Sequence, residues 1–81
     1  MDYPLLLSVQ SEEKYKLLLE YANKEQRVYD FKKHLEHPFY TSLKNEDLFK
    51  KVKVIEGELE WATGQDFCPN TLYEYSKRLN K

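Results

Sequence analysis

The sequence has little of what usually announces a function. Only two of its 81 residues are glycine, Gly57 and Gly64, so no glycine-rich loop is available to cradle a phosphate. Cys68 is the single cysteine, which excludes an intrachain disulfide and the paired cysteines of common zinc sites. Thirteen basic residues against fourteen acidic ones leave a formal net charge of −1, so no long-range field draws nucleic acid or an anionic membrane toward the chain. Nucleic acid is therefore disfavoured as a partner. No apolar run approaches the roughly 20 residues of a membrane helix. The start, Met1-Asp2-Tyr3-Pro4-Leu5-Leu6-Leu7, carries an acid where an export signal carries positive charge. A soluble protein with a cytoplasmic address is the expectation. At this length one core is the limit, and such a domain buries only about 60% of its unfolded surface.

What the chain does have is strand patterning and aromatics. Leu5 to Val9 is an apolar run, and Tyr15, Leu17, Leu19 and Tyr21 alternate. Arg27-Val28-Tyr29-Asp30-Phe31 is again β-branched and aromatic. Three strands joined by hairpin turns follow, the first turn at Gln10-Ser11-Glu12-Glu13 and the second at Asn23-Lys24-Glu25. Between Lys32 and Tyr40 the pattern breaks, and Pro38 forces His37 toward an extended backbone, which makes this stretch a connector. Asn45 fits a helix N-cap, with Glu46 and Asp47 in the first turn where the helix dipole favours acids.

Lys51 to Glu56 and Glu58 to Thr63 read as a second hairpin turning at Gly57, with Leu59, Trp61 and Thr63 on one face. Pro69 suits a first helical position, and Leu72, Tyr75 and Leu79 recur at helical spacing over Asn70 to Leu79, with a last turn that frays. The expected fold class is α+β, a small mainly antiparallel sheet in the order β-β-β-α-β-β with a C-terminal helical segment, in one domain over residues 1–81.

The ordered set Trp61, Gly64, Asp66, Phe67, Pro69, Leu72 and Tyr73, preceded by Arg27 to Phe31 and by Asp47 to Val54, resembles the bacterial domain-of-unknown-function family 2442. The resemblance covers about residues 3–74. It departs where the second hairpin usually carries a glycine, here Lys24 and Glu25, and where a proline often follows the tryptophan, here Ala62. What it implies is a small α+β fold, no known catalytic activity, and frequent encoding beside another small protein. It also implies relatives that carry a helix-turn-helix domain.

Candidate sites are few. Gly64, Asp66 and Pro69 are expected to form a structural turn and cap, with the Asp66 carboxylate on the N–H groups opening the last helix. Trp61 is expected to anchor the core, and its sharper alternative is an exposed hot spot for a protein partner. Glu56, Glu58 and Glu60 share a side of the second hairpin if that strand is regular, an acidic stripe that would dock a basic protein or would simply keep the edge soluble. Lys32-Lys33 and Lys50-Lys51-Lys53, with Phe39 and Tyr40 nearby, are the basic counterpart.

His34 and His37 stand i, i+3, but lack the companions of a metal site; Cys68 reads as a small buried hydrophobe. No catalytic, cofactor-binding or metal-binding residue is expected, and no cofactor. The function expected is a non-catalytic protein-interaction or accessory module, antitoxin-like in its pairing with another small protein. The alternatives are a nucleic-acid-associated regulator and, behind it, a small enzyme built on His34, His37, Asp66 and Cys68. An open sheet edge is also compatible with a homodimer.

Overall fold

A computed structural model of the chain describes residues 3–79. The alternation of Leu17, Leu19 and Tyr21 with Lys16, Leu18 and Glu20 makes a strand with one apolar face, and the first three of these side chains are buried. This strand, β2 (Lys16–Tyr21), pairs antiparallel with β1 (Leu6–Glu12) on one side and β3 (Gln26–Asp30) on the other. A bulge at Leu7, where Leu6 faces Tyr21 and Ser8 already faces Glu20, lets Leu6 stay in the core while the strand continues.

β1 runs on through Gln10-Ser11-Glu12, which the polar composition had suggested as a turn. The reversal falls instead at Glu13–Tyr15, a 3₁₀ turn in which Lys14 and Tyr15 have φ of 61° and 62°. An aromatic residue in the left-handed region is strained, and two contacts hold it there. The Tyr15 ring meets Phe49 edge-on at 5.3 Å, and its hydroxyl donates to the Lys44 carbonyl.

The second hairpin turn is closed by the Lys24 N–H on the Tyr21 carbonyl at 3.0 Å and by the Tyr21 N–H on Glu25 at 3.0 Å. Asn23 does not itself take the left-handed conformation. Its side-chain oxygen accepts from the Glu25 N–H at 3.0 Å, while Lys24 carries the φ of 71°. Two 3₁₀ segments follow, Lys32–Glu36 and Pro38–Lys44, separated by His37 at φ −75°, ψ 133°, the extended conformation Pro38 imposes. Leu35 and Leu43 are the buried residues of these segments.

Asn45 caps α1 (Glu46–Phe49), its Oδ1 accepting from the N–H groups of Asp47 at 2.9 Å and Leu48 at 3.3 Å. The chain then forms β4 (Lys53–Ile55) and β5 (Glu58–Glu60), with Glu56 and Gly57 both at positive φ, 50° and 81°, in a two-residue turn.

The α+β class and the mainly antiparallel pairing hold, but there are two sheets. The first has the order β1-β2-β3-β7 and the second β4-β5-β6. β6 (Asp66–Phe67) and β7 (Lys77–Arg78) are two residues each and have no periodicity to display. The last helix, α2 (Pro69–Tyr75), ends four residues before Leu79, because Ser76 is extended and Lys77 pairs with Val28. Its Leu72 is buried, whereas Tyr75, expected on the inward stripe, is 66% exposed.

Arg27 fastens this C-terminal segment. Its Nε donates to Ser76 Oγ at 2.6 Å, Nη2 to the Ser76 carbonyl at 3.0 Å and Nη1 to Glu25 at 2.6 Å, and the guanidinium lies 4.3 Å from the Tyr73 ring centroid. The two sheets meet on Phe31, which is fully buried. Its ring centroid lies 5.0 Å from Trp61, 5.2 Å from Tyr40, 5.3 Å from Phe67 and 6.0 Å from Phe49.

Two stability outcomes follow. Phe31→Ala removes the shared ring and leaves a cavity that neither sheet can close alone. A loss of about 3–5 kcal/mol is expected in urea unfolding, against about 1–2 kcal/mol for Phe31→Leu. Lys24→Gly relieves a left-handed lysine, a strain of about 1–2 kcal/mol, and returns about 0.4–1 kcal/mol of entropy to the unfolded chain. A net gain near 0.5–1 kcal/mol is expected, and a loss on the same measurement would show that Lys24 has a stabilising contact outweighing its strain.

Candidate functional site

Gly64, Asp66 and Cys68 come close together where β6 passes into α2. Gly64, at φ 97°, takes the turn after Trp61, with its N–H on the Trp61 carbonyl at 2.9 Å and the Trp61 N–H on Gln65 at 2.8 Å. Gln65 is buried, and its Nε2 donates to the Phe39 carbonyl at 3.1 Å and Ser42 Oγ at 2.7 Å. Its side-chain oxygen accepts from the Thr63 hydroxyl. Gln65 thereby ties the 3₁₀ segment Pro38–Lys44 to the second sheet. Nothing in the spacing marked it, because an amide with three partners looks like any loop glutamine until the fold supplies them.

Tyr40 then reaches across from that segment, its hydroxyl donating to the Asp66 carbonyl at 2.9 Å. Tyr40, Glu58, Asp66, Cys68 and Thr71 line an open cleft of about 500 Å³.

Cys68 stands at the N-cap of α2 and is exposed, so the expectation of a small buried hydrophobe is corrected. The physical reason is the proline after it. With Pro69 at the first helical position, residue 68 lies outside the helix and turns its side chain toward the unsatisfied N–H groups of the first turn. The backbone N–H of Thr71 is the main influence lowering the thiol below the ordinary cysteine range. The Thr71 hydroxyl and the Asn70 N–H add to it, while partial burial and the Glu58 carboxylate oppose it.

Asp66 makes no side-chain cap on α2. It sits in β6, paired with Glu60, and points its carboxylate outward. The N-cap position falls to Cys68, two residues later, which makes no side-chain cap hydrogen bond.

Trp61 is 2% exposed, and its indole N–H donates to the Phe49 carbonyl at 3.0 Å. A ring so enclosed offers no surface to a docking protein, which removes the hot-spot alternative and leaves the core role. The acidic stripe is shorter than the pattern suggested. Glu58 and Glu60 share a face of β5, but Glu56 belongs to the turn, and Lys53 stands opposite Glu60 in the register.

The histidines are engaged separately. His34 Nε2 lies 2.6 Å from the Tyr29 hydroxyl, and burial foremost, with Lys33 and His37 adding, lowers its pKa and favours the neutral ring. His37 Nδ1 accepts from the Phe39 N–H at 3.1 Å. Among the described residues no three His, Cys, Asp or Glu side chains gather as a metal would require. No helix among them is long and apolar enough to cross a membrane.

The Cys68 geometry has a measurable consequence. A lowered thiol pKa places more thiolate at neutral pH, so the rate of iodoacetamide alkylation should level off at lower pH than it does for free cysteine. Thr71→Pro removes the main N–H donor and should shift that profile upward; Thr71→Ala, which keeps the N–H and loses only the hydroxyl, should shift it less. A profile identical to free cysteine in the folded wild type would contradict the arrangement.

No curated protein matches the chain, and no solved structure does. A family model does match, over residues 6–78, from the β1 strand through β7, and its description is that of a protein of unknown function. The chain belongs to that family, DUF2442.

Proposed function

We propose that the domain is a non-catalytic protein-interaction module, an accessory or antitoxin-like partner of another small protein, and that it docks through the tip of the β4–β5 hairpin. The observation that carries this reading is an apolar pair left uncovered beside a charged rim. Leu5 is 57% exposed and Ile55 38% exposed. They flank the same turn: a Cβ placed on Gly57 would come within 2.7 Å of Leu5 Cδ1, and Ile55 precedes Glu56 in the turn itself. Glu56 and Glu58 are exposed around them.

Single exposed leucines are ordinary, but two exposed large aliphatics flanking one hairpin turn and rimmed by carboxylates have the anatomy of a small interface. The partner such a surface fits carries an apolar anchor ringed by lysine or arginine. The reading also draws on how the capable side chains are occupied. A nucleophilic Cys68 needs a base to orient it, and His34 and His37 hold other partners.

Co-expression with the product of the adjacent gene tests this. A complex should co-elute, Leu5→Ser with Ile55→Ser should weaken it by roughly 30-fold or more, and Glu56→Lys with Glu58→Lys should slow association several-fold at low salt. Absence of a complex, or one indifferent to both double substitutions, would sink the proposal.

A further inference from the structure

The first sheet has two faces, and only one is covered. Leu17, Leu19, Tyr21 and Tyr29 point into the core. On the opposite face Gln10, Leu18, Val28 and Lys77 stand side by side in register across β1, β2, β3 and β7. Leu18 and Val28 form a half-buried apolar floor. Beside Val28 the chain leaves α2 at Tyr75, whose ring is mostly in solvent. An open groove of about 400 Å³ lies there, lined by Lys16, Val28, Asp30, Lys33, Lys77 and the exposed Tyr75, and reaching the edge of the buried Tyr29.

The three lysines are not equivalent. In the register Lys16 stands between two carboxylate-bearing residues, Glu12 and Asp30. Lys77 faces Val28, and Lys33 holds its ammonium 5.4 Å from the Tyr29 ring centroid, a contact that positions the charge without neutralising it. None of the three takes part in either ion pair found among the described residues. The groove thus combines two lysines outside either ion pair, the apolar side chain of Val28, the carboxylate of Asp30 and one exposed aromatic ring.

We propose that this open sheet face binds single-stranded nucleic acid, with a base stacked on Tyr75 and flanking phosphates on Lys33 and Lys77. Every base has a π-face and every link a phosphate, so an exposed ring between two cations recognises a strand without reading its sequence. A duplex keeps its bases stacked inside and cannot use the ring. The net charge of −1 confines the attraction to this groove and limits it to about two phosphate contacts. The site lies on a different sheet from the β4–β5 hairpin and goes beyond the docking role proposed there, so either can fail without the other.

Fluorescence anisotropy with labelled oligouridylate and oligodeoxyuridylate, which differ only in the sugar, tests it. Binding is expected at low salt, with a log–log salt slope of about −1.4 from two contacts. Tyr75→Ala should weaken it about tenfold while Tyr75→Phe retains it, and Lys33→Gln with Lys77→Gln should bring the slope near zero. Circular dichroism verifies that these surface variants remain folded. Preference for one of the two probes identifies RNA or DNA as the source of the strand, and equal binding identifies stacking alone as the selector; each supports the site. The proposal is overturned by no binding at low salt, by affinity unchanged in Tyr75→Ala, or by a duplex binding as tightly as the single strand. Displacement of the strand by polyglutamate of equal charge would also overturn it, since that marks a site for an acidic protein segment.

Discussion

Phe31 is the contact on which the rest of the molecule depends. The two sheets share no strand and exchange no strand-to-strand hydrogen bond, so neither ladder extends into the other. The first sheet ends its third strand at Asp30, and the next residue delivers its ring to Trp61 and Phe67, which belong to the second. Tyr40 meets the same ring at 90°, His34 lies at 4.9 Å and Phe49 closes the far side. Inclined and edge-on contacts of this kind are favourable beyond the area they bury. An aliphatic side chain at position 31 would fill part of the volume and lose that geometry. With no disulfide to join the sheets, the domain relies on packing, and Tyr29 of β3 adds a second ring contact to Phe67 of β6 at 5.9 Å.

Around that centre the polar ties each solve a local accounting problem. Arg27 lies among Ser76, Glu25 and Tyr73, with only 14% of its side chain exposed, and three of its nitrogens have acceptors. Lysine has the charge but not the planar fork, so it would not serve Ser76 and Glu25 together. Glu25 in turn accepts from Tyr73 at 2.7 Å and Asn23 at 2.7 Å, and its carboxyl is held below the usual range chiefly by the Tyr73 hydroxyl, with Arg27 assisting. Gln65 does the equivalent work on the other side of the molecule. In both cases one extended side chain joins segments that have no regular structure in common.

The parts of this fold legible in the sequence are those decided by neighbours along the chain. Leu17, Leu19 and Tyr21 alternate, and alternation is enough to make a strand. Asn45 precedes two acids and an apolar pair, and Pro38 restricts His37 whatever the fold around them. The parts that were not legible depend on distant segments. β6 and β7 exist because Leu59 is opposite Phe67 and Val28 is opposite Lys77, pairings that a two-residue strand cannot signal. Tyr75 fits a helical stripe with Leu72, yet the helix ends beneath it and the ring turns to solvent. Cys68 was legible in principle, since taking Pro69 as the first helical residue already places the thiol at the cap. The generic association of cysteine with burial concealed that.

The pairing of β3 with β7 also bears on how the molecule is made. Arg27 is synthesised 49 residues before Ser76, and its guanidinium has no acceptor from that segment until Ser76 has left the ribosome. The hairpins from β1 to β3 contain mostly local contacts and can form while translation continues. The first sheet acquires its fourth strand, and Arg27 its full set of partners, only once β7 has emerged. Until then the outer edge of β3 stays unpaired, and a chaperone or a partner protein has that interval in which to reach it.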